Sequence, residues 1–444
     1  MFKRILIANR GAIARRIVRA CEALGIESVA LYSDADADAP HLLEASSSHA
    51  LPGVSAAQTY LNVPAILAAV EASGADALHP GYGFLAEDAG FAEAVRATGC
   101  AFIGPHPKLL ASMGDKVAAR ATLGAAGLPL FPGSPLLDAV AQASASAEAI
   151  GYPLLIKPAA GGGGIGMQQV ASAAQLDGAV ERAMRLAQSA FGDPRVFLER
   201  LVQGGRHIEL QLLADEHGQV MHLFERDCSV QRRHQKLIEE SPAPGIDAQR
   251  LNALAERCVA AFTSLGYNNV GTLETLMDSQ QDFGVLEVNT RIQVEHAVTE
   301  MVTGVDLVAS QIRLAAGARL AAVVPSDIAC HGHAVEARIY AEDTRLNQAS
   351  TGRLQRFGMP RMRHVRVETG YQVGNSVTPY YDPLLAKVIS WAPTRELAIG
   401  RLKVALRACD IAGVQTNIAL LLNVLGSDTF ISGQFTTDQD PGEG

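Results

Sequence analysis

The sequence predicts a mixed α/β and α+β protein with three parts: an N-terminal domain on a doubly wound parallel sheet, a mobile lid, and a C-terminal domain on an antiparallel sheet. Strand and helix patterns alternate through the first hundred residues, as in parallel βαβ units. A short α+β block surrounds a glycine-rich loop, and long antiparallel strand patterns begin near residue 203. The predicted boundaries are an N-terminal domain at 1–114, a linker at 115–134, a lid at 135–202 and a C-terminal region at 203–444.

The N-terminal domain is predicted from a strand at 3–8, an Arg10-Gly11 turn and a helix at 12–24 whose apolar residues recur at helical spacing. Further strands are predicted at 28–32, 77–78 and 100–103, and further helices at 63–72 and 89–97. No GxGxxG motif follows the first strand, which argues against a dinucleotide site.

The same patterns predict the elements of the lid and of the C-terminal region. A helical stretch is predicted at 108–126, before the lid, and another at 139–150, within it. The lid itself is predicted from strands at 154–157, 167–170 and 196–199 and a helix at 174–189. The C-terminal strands are predicted at 208–214, 220–226, 271–276 and 283–289.

Composition restricts the class of protein before any motif is considered. The 444 residues, 48% of them hydrophobic, suffice for two to four domains and are too apolar for whole-chain disorder. A net charge of −9 argues against general nucleic-acid binding, and the apolar runs fall short of the roughly 18 residues of a membrane span. Six dispersed cysteines without a CxxC pair argue against zinc and a disulfide framework. Because a strand pattern starts at once and leaves no room for a signal peptide, we expect a cytoplasmic protein.

Residues 161–166 contain five glycines in six positions. Such a segment suits a loop whose bare backbone N–H groups close over phosphates, and Lys157 stands four residues before it on a predicted strand. A flexible linker would have the same composition. No GK[ST] follows, so the loop is not a P-loop, and its flanking strands favour a hairpin flap.

Polar and apolar side chains alternate from residue 286 to residue 295. The polar residues are Glu287, Asn289, Arg291, Gln293 and Glu295. If the stretch is extended throughout, all five side chains project to one side. A solvated strand face shows the same alternation, but this set also suits a hard metal ion and an anion.

A hairpin is predicted to bring another carboxylate to this face. Glu274 lies on the preceding strand, and a short loop at 278–282 returns the chain antiparallel, so that Glu274 comes near Glu287. Two carboxylates and an asparagine oxygen are ligands that Mg²⁺ prefers beside substrate phosphates. The pattern therefore predicts a magnesium site.

Other polar residues are open to two interpretations. The donor-rich run at 225–236 binds anions or forms a solvated face. His207 and Glu209 either act in the site or are structural residues whose polar groups are hydrogen-bonded. For Arg338, the alternative to a functional role is a buried ion pair with a neighbouring residue. Cys228 is better explained as a packed core thiol than as a nucleophile.

Taken together, the motifs resemble those of the biotin carboxylases, the ATP-grasp component of the biotin-dependent carboxylases. The resemblance covers nearly all 444 residues, and the pair QRRHQK and NTRIQVEH is specific to this family. It also rests on the segments ILIANRGAIARRI, HPGYGFLAED, GYPLLIK, GGGGIGM, RHIELQ, EESPAPG, HAVEARI and PYYDPLLAKVI.

The resemblance implies an ATP-grasp fold and an ATP-dependent ligase activity. Family members convert ATP and bicarbonate to carboxyphosphate and then carboxylate N1′ of biotin on a carrier protein. The implied cofactors are ATP and two Mg²⁺ (or Mn²⁺) ions, with carrier-bound biotin as substrate. The implied partners are a biotin carboxyl carrier protein and a carboxyltransferase, as separate chains or domains, with a homodimer as one assembly. Neither a nucleic acid nor a membrane is expected as a partner.

The resemblance also implies a role for each matching residue. Catalytic roles fall to Glu295 as general base, Arg291, Lys236 and Arg338. ATP binding is implied for Lys116, Lys157, Gly163, Gly164, Met167, Glu199, Arg200, Leu201, Val202, His207, Gln231 and His234. Bicarbonate binding is implied for Lys236, Arg291, Gln293 and Val294, biotin binding for Arg338 and Tyr82, and metal binding for Glu274, Glu287 and Asn289.

Two other functions fit parts of the pattern: another ATP-grasp carboxylate–amine ligase and a non-catalytic nucleotide-binding subunit. The intact catalytic set argues against the second. An acyl-CoA such as acetyl-CoA is the favoured final carboxyl acceptor, with pyruvate and urea as alternatives. Ile165 and the segment Pro158-Ala159-Ala160 depart from many relatives and spare the catalytic set.

Overall fold

Three structural units follow one another along the chain in the computed structural model, which describes residues 1–160, 166–325 and 327–442. They are a parallel sheet, a small three-stranded sheet and an eight-stranded antiparallel sheet, each packed with helices. This arrangement confirms the predicted fold class. Gly163 and Gly164 of the predicted phosphate loop lie outside the described residues.

The N-terminal unit is built on parallel strands. They are β1 (Arg4–Ile7), β2 (Glu27–Ser33), β3 (Ser47–Leu51), β4 (Ala77–His79) and β5 (Ala101–Phe102), in the order β3-β2-β1-β4-β5. The helices are α1 (Gly11–Leu24), α2 (Pro40–Glu44), α3 (Val63–Ser73) and α4 (Ala89–Ala97). Helix α1 buries Ile13 and Ile17 and ends at Gly25, whose φ of 68° suits a glycine cap. The polar strand β3 lacks an apolar pattern, and the sequence analysis missed it.

Two helices, α5 (Pro107–Gly114) and α6 (Lys116–Ala125), connect the N-terminal unit to the lid. The sequence predicted one helical stretch here. Asp115 divides it, because its carboxylate accepts the N–H groups of Val117 and Ala118 and so begins a new helix. Helix α6 lies within the residues that were predicted to form a linker.

The lid is a separate α+β block with its own apolar core. Its elements are α7 (Ala143–Ile150), β6 (Leu154–Pro158), β7 (Gln168–Val170), α8 (Ala173–Phe191) and β8 (Val196–Arg200). The strands pair antiparallel in the order β7-β6-β8. Leu154, Ile156, Val180 and Leu198 are fully buried between sheet and helices.

The antiparallel sheet of the C-terminal unit carries the candidate site. Its strands are β9 (Arg206–Ala214), β10 (Val220–Arg232), β11 (Gln235–Ser241), β12 (Asn269–Met277), β13 (Phe283–Asn289), β14 (His333–Tyr340), β19 (Val365–Thr369) and β21 (Leu384–Ala392). The short strands between and after them are β15 (Glu342–Asp343), β16 (Gln348–Ala349), β17 (Gly352–Arg353), β18 (Arg356–Gly358), β20 (Ser376–Val377) and β22 (Asp410–Ala412). The sheet order is β13-β12-β9-β10-β11-β14-β21-β19.

Helices cover this sheet and its edges. They are α9 (Ala248–Ser264), α10 (His296–Thr303), α11 (Leu307–Ala315), α12 (Leu320–Val323), α13 (Arg395–Arg407), α14 (Ile418–Val424) and α15 (Asp428–Ile431). Helix α9 was not predicted; Asp247 caps it, and it buries Leu254, Cys258 and Phe262. Within the described ranges, no helix has both the length and the apolar character needed to cross a bilayer.

Candidate active site

Three carboxylates form a row across neighbouring strands of the antiparallel sheet. Glu274 on β12 stands directly opposite Glu209 on β9 and Glu287 on β13. Because directly paired residues project to the same face of a sheet, the three side chains share one face. The hairpin β12–β13 confirms the prediction that Glu274 lies beside Glu287.

Lys236 on β11 joins this row to the general-base candidate. Its Nζ lies 3.0 Å from Oε1 of Glu274 and 2.9 Å from Oε1 of Glu295, and it also contacts Glu209. Burial alone would lower the pKa of Lys236, but the three carboxylates raise it well above its usual value. The side chain is therefore a permanent ammonium group among carboxylates.

Glu295 is held between two cations. Its Oε1 accepts from Lys236, and its Oε2 accepts from Nη2 of Arg338 at 2.9 Å. The residue is only 2% exposed, which by itself would raise its pKa, yet Lys236 and Arg338 lower the pKa to about 2. Glu295 is thus a buried carboxylate that stays ionised.

Arg338 on β14 also pairs with a second carboxylate. Its Nε donates to Oε1 of Glu239 on β11 at 2.5 Å. Burial raises the pKa of Glu239 to about 7, although the Arg338 charge opposes this shift. The buried ion pair considered as the structural alternative for Arg338 is therefore present, and the same guanidinium reaches Glu295.

The chain leaves the sheet after Asn289, as the predicted strand at 283–289 implies, so the stretch up to residue 295 is not extended and its five polar side chains do not share one strand face. Strand β13 ends at Asn289, and Glu295 is the N-cap residue of α10. The Thr290 N–H donates to the Glu87 carboxylate at 3.0 Å, and Nε of Arg291 donates to it at 2.9 Å. Hydrogen bonds to a distant loop thus replace the next ladder bonds of the strand.

The loop nevertheless returns its polar side chains to the carboxylate row. Nη2 of Arg291 donates to Oδ1 of Asn289 at 2.6 Å. Nε2 of Gln293 and Nδ2 of Asn289 each donate to Oε1 of Glu274 at 2.7 Å. The residues predicted to share a strand face therefore meet through a loop and a helix start.

His207 and Gln231 extend the same cluster towards the lid. Nε2 of His207 lies 3.0 Å from Oε2 of Glu274, and its Nδ1 lies 2.8 Å from Nε2 of Gln231. Burial would lower the pKa of His207, but the Glu274 carboxylate raises it to about 9. The Glu274 carboxylate therefore favours the charged form of the His207 ring.

The sequence analysis assigned no role to Arg226, a fully buried residue on β10. Its Nε donates to Oε2 of Glu209 at 3.1 Å, its Nη1 donates to Oγ1 of Thr299 at 3.1 Å, and its Nη2 contacts Gln293. Arg226 lies in the donor-rich run at 225–236, which was the available signal. Glu87 lies in the segment HPGYGFLAED, but only the fold brings it to Arg291.

The lid residues predicted to bind ATP are tied to each other and to α6. Nζ of Lys157 on β6 contacts Glu199 on β8, and Nη1 of Arg120 on α6 donates to the same carboxylate at 2.6 Å. Nη2 of Arg200 donates to Asp278 at 2.7 Å, which connects the lid to the β12–β13 turn. Ion pairs thus connect the lid to α6 and to the C-terminal unit.

The remaining predicted residues lie in loops or at the ends of helices and strands. Leu201 and Val202 follow β8, and Met167 precedes β7. Lys116 begins α6, and Tyr82 lies in the loop after β4. The exposed His234 occupies the tight β10–β11 turn, where it and Arg233 have φ values of 64° and 52°. Val294 lies in the loop before α10.

The donor set around Glu274 fits a hard divalent cation. Glu274, Glu287 and Asn289 supply only oxygen ligands from two paired strands. The Glu287 residue is exposed, yet partial desolvation by the surrounding protein together with the Glu274 charge raises its pKa. Two facing carboxylates repel each other unless a cation lies between them.

Three family models match successive parts of the chain. The description "Biotin carboxylase, N-terminal domain" matches residues 1–110, and "Biotin carboxylase C-terminal domain" matches residues 336–439. Between them, "Carbamoyl-phosphate synthase L chain, ATP binding domain" matches residues 115–323.

Characterised relatives match over almost their whole length. Biotin carboxylase 2 of Bacillus subtilis is 46% identical over 439 residues, which cover 99% of each chain. The 2-oxoglutarate carboxylase small subunit of Hydrogenobacter thermophilus is 44% identical, with 98% of this chain and 93% of the relative covered.

Solved structures of biotin carboxylases are similar to this chain over nearly its whole length. The biotin carboxylase domain dimer of Hydrogenobacter thermophilus 2-oxoglutarate carboxylase, in complex with MgADP, ADP and bicarbonate, has a TM-score of 0.95 at 43% identity and covers 98% of this chain and 96% of its own. A Campylobacter jejuni biotin carboxylase–nucleotide complex has a TM-score of 0.95 at 41% identity, covering 99% and 98%.

Proposed function

The chain belongs to the biotin carboxylase family and is an ATP-dependent ligase, and on that premise we propose the role of each group at its site. Glu295 is the general base for bicarbonate, Lys236 and Arg291 hold the anion with Gln293 and Val294, and Arg338 serves biotin. The observation that carries this proposal is the buried Glu295 carboxylate between the Lys236 and Arg338 cations.

Bicarbonate is a weak nucleophile, so its activation requires a base beside a cationic site. In the structure described here, Lys236 and Arg338 depress the pKa of Glu295 to about 2. A bicarbonate anion that takes a hydrogen bond from Lys236 withdraws part of the stabilisation that this cation gives to Glu295. The basicity of Glu295 then rises at the moment when a proton has to be removed.

ATP binds between the lid and the antiparallel sheet. Lys116 and Lys157 meet its phosphates, as do Gly163 and Gly164, with His207, Gln231 and His234 completing the nucleotide site. Glu199, Arg200, Leu201 and Val202 face the adenine, with Met167 beneath it. Glu274, Glu287 and Asn289 hold two Mg²⁺ (or Mn²⁺) ions, which neutralise phosphate charge when bound.

Arg338 stabilises the negative charge that develops on the ureido oxygen of biotin when N1′ loses its proton, and Tyr82 contributes to the biotin site. A guanidinium suits this task because it stays charged and presents a fixed fork of donors. Nη2 of Arg338 lies 2.9 Å from Oε2 of Glu295, so this donor is directly beside the proposed base.

The substitution Arg338→Ala is expected to lower biotin carboxylation by a factor of roughly 10²–10³, as for one oxyanion-hole donor. ATP formation from carbamoyl phosphate and ADP develops no negative charge on a ureido oxygen, so the rate of this reaction should be largely retained. Arg338→Lys should restore only part of the lost rate. The two rates are measured on one preparation of each variant, and a parallel fall would assign Arg338 to structure or phosphate binding instead.

Lid closure over the nucleotide is expected to protect the glycine-rich segment. Amide hydrogen exchange of residues 161–166 should slow when ATP and Mg²⁺ are added, because a closed lid excludes water from the unstable carboxyphosphate. Helix α9, which packs its apolar residues against the antiparallel sheet, serves as the internal reference. Equal exchange with and without saturating nucleotide would contradict closure.

The second half-reaction requires partners. We propose a biotin carboxyl carrier protein and a carboxyltransferase, as separate chains or domains, and a homodimer of this chain; an acyl-CoA such as acetyl-CoA is the favoured acceptor. ADP release that depends on bicarbonate and increases with free biotin tests the first half-reaction. A carboxylate–amine ligase would respond to neither compound. Turnover with candidate acceptors in the reconstituted carboxylase identifies the acceptor.

A further inference from the structure

Lys387 is a buried lysine directly behind the catalytic loop. It lies on β21, is 1% exposed and pairs in register with Arg338 on β14 and with Glu368 on β19. Directly paired residues share a face of the sheet, so Lys387 projects to the side on which the loop before α10 packs. It belongs to the segment PYYDPLLAKVI, and the mechanism above gives it no role.

The Lys387 ammonium group contacts a main-chain carbonyl in addition to carboxylates. Its Nζ donates to the carbonyl oxygen of Val294, lies 2.7 Å from Oε2 of Glu368 and lies 3.6 Å from Oε2 of Glu336. The Val294 carbonyl belongs to the peptide unit that joins Val294 to Glu295. Its orientation therefore sets where the backbone of Glu295 begins α10.

Charge balance alone does not explain this contact. Glu368 has a second cation, because Nη2 of Arg366 also donates to it. Oε2 of Glu336 lies beyond hydrogen-bond distance of Lys387, at 3.6 Å, and burial raises the pKa of this carboxyl group. Neutralising these carboxylates therefore does not require the hydrogen bond from Lys387 to the Val294 carbonyl.

We propose that Lys387 is a positioning residue for bicarbonate activation, which fixes the Val294–Glu295 peptide unit and thereby the catalytic base; this inference rests on the proposed role of Glu295. The base is then held both by its side chain and by its main chain. Lys236 and Arg338 hold its carboxylate, and Lys387 holds its main chain. Such placement matters because a misplacement of about 1 Å can cost about 10² in rate.

The test compares Lys387→Met, Glu368→Gln and the double variant. Lys387→Met removes the donor but leaves Glu368 with one cation fewer. The double variant removes both charges of the pair, which relieves that electrostatic penalty but leaves Val294 without its donor. Glu368→Gln is the matched control, because it alters the same buried pair and keeps the Lys387–Val294 bond.

Two rates are measured for each variant: ATP cleavage that depends on bicarbonate, and ATP formation from carbamoyl phosphate and ADP. The ratio of the first to the second is expected to fall about 10–10²-fold in Lys387→Met and in the double variant, and to stay near wild type in Glu368→Gln. The ratio is independent of the folded fraction, because unfolding lowers both rates together.

A double variant whose ratio returns to the wild-type value would overturn the inference and leave Lys387 as a structural ion-pair partner. A parallel fall of both rates in every Lys387 variant would overturn it as well. If the wild-type chain itself shows no ATP cleavage that depends on bicarbonate, the proposed function fails, and this result is visible before any variant is compared.

Discussion

The substitution Glu287→Lys is expected to abolish ATP turnover while leaving the fold intact. It places an ammonium group where a divalent cation should bind beside Glu274, its direct cross-strand partner. Because Glu287 is exposed, the lysine can extend into solvent without entering the core. ADP release at ordinary Mg²⁺ concentrations measures the activity, and circular dichroism measures the fold.

Glu256→Lys on the exposed face of α9 is the matched control for this change in charge. It alters the net charge of the chain equally, and it should leave ATP turnover near the wild-type value. If Glu287→Lys retains turnover, the carboxylate pair is a solvated strand face and the metal assignment is wrong.

The substitution Glu295→Gln is expected to lower bicarbonate-dependent ATP cleavage by a factor of about 10²–10⁴, the range for loss of a general base. Glutamine keeps the shape and one acceptor oxygen but has no basic carboxylate. Lys236 retains its contacts with Glu209 and Glu274, so the cationic site for the anion persists. The rate is measured at saturating ATP as a function of bicarbonate concentration.

ATP formation from carbamoyl phosphate and ADP provides the control within the Glu295→Gln preparation. That reaction uses the nucleotide and metal groups and removes no proton from bicarbonate, so it should be largely kept. Normal bicarbonate-dependent cleavage in this variant would exclude Glu295 as the base.

Local patterns predicted much of the architecture and the centre of the candidate site. The helical spacing after residue 11 predicted α1, and alternation together with a short turn predicted the β12–β13 hairpin that pairs Glu274 with Glu287. These features depend on residues a few positions apart, where side-chain periodicity and turn geometry are decisive. The path of the chain after Asn289 was not predictable in this way, because Glu87 redirects it from another domain.

The sequence by itself determined the fold class, the hairpin and the types of residue available for chemistry. Only the tertiary structure decided which buried charges meet: Arg338 with Glu239 and Glu295, and Lys387 with the Val294 carbonyl. Arg338 is 43 residues from Glu295, and Lys387 is 93 residues from Val294. Such pairs depend on the register of β11, β14 and β21 and on the packing of a loop against them. Those are set by the burial of the whole sheet, and no local pattern in the chain encodes them.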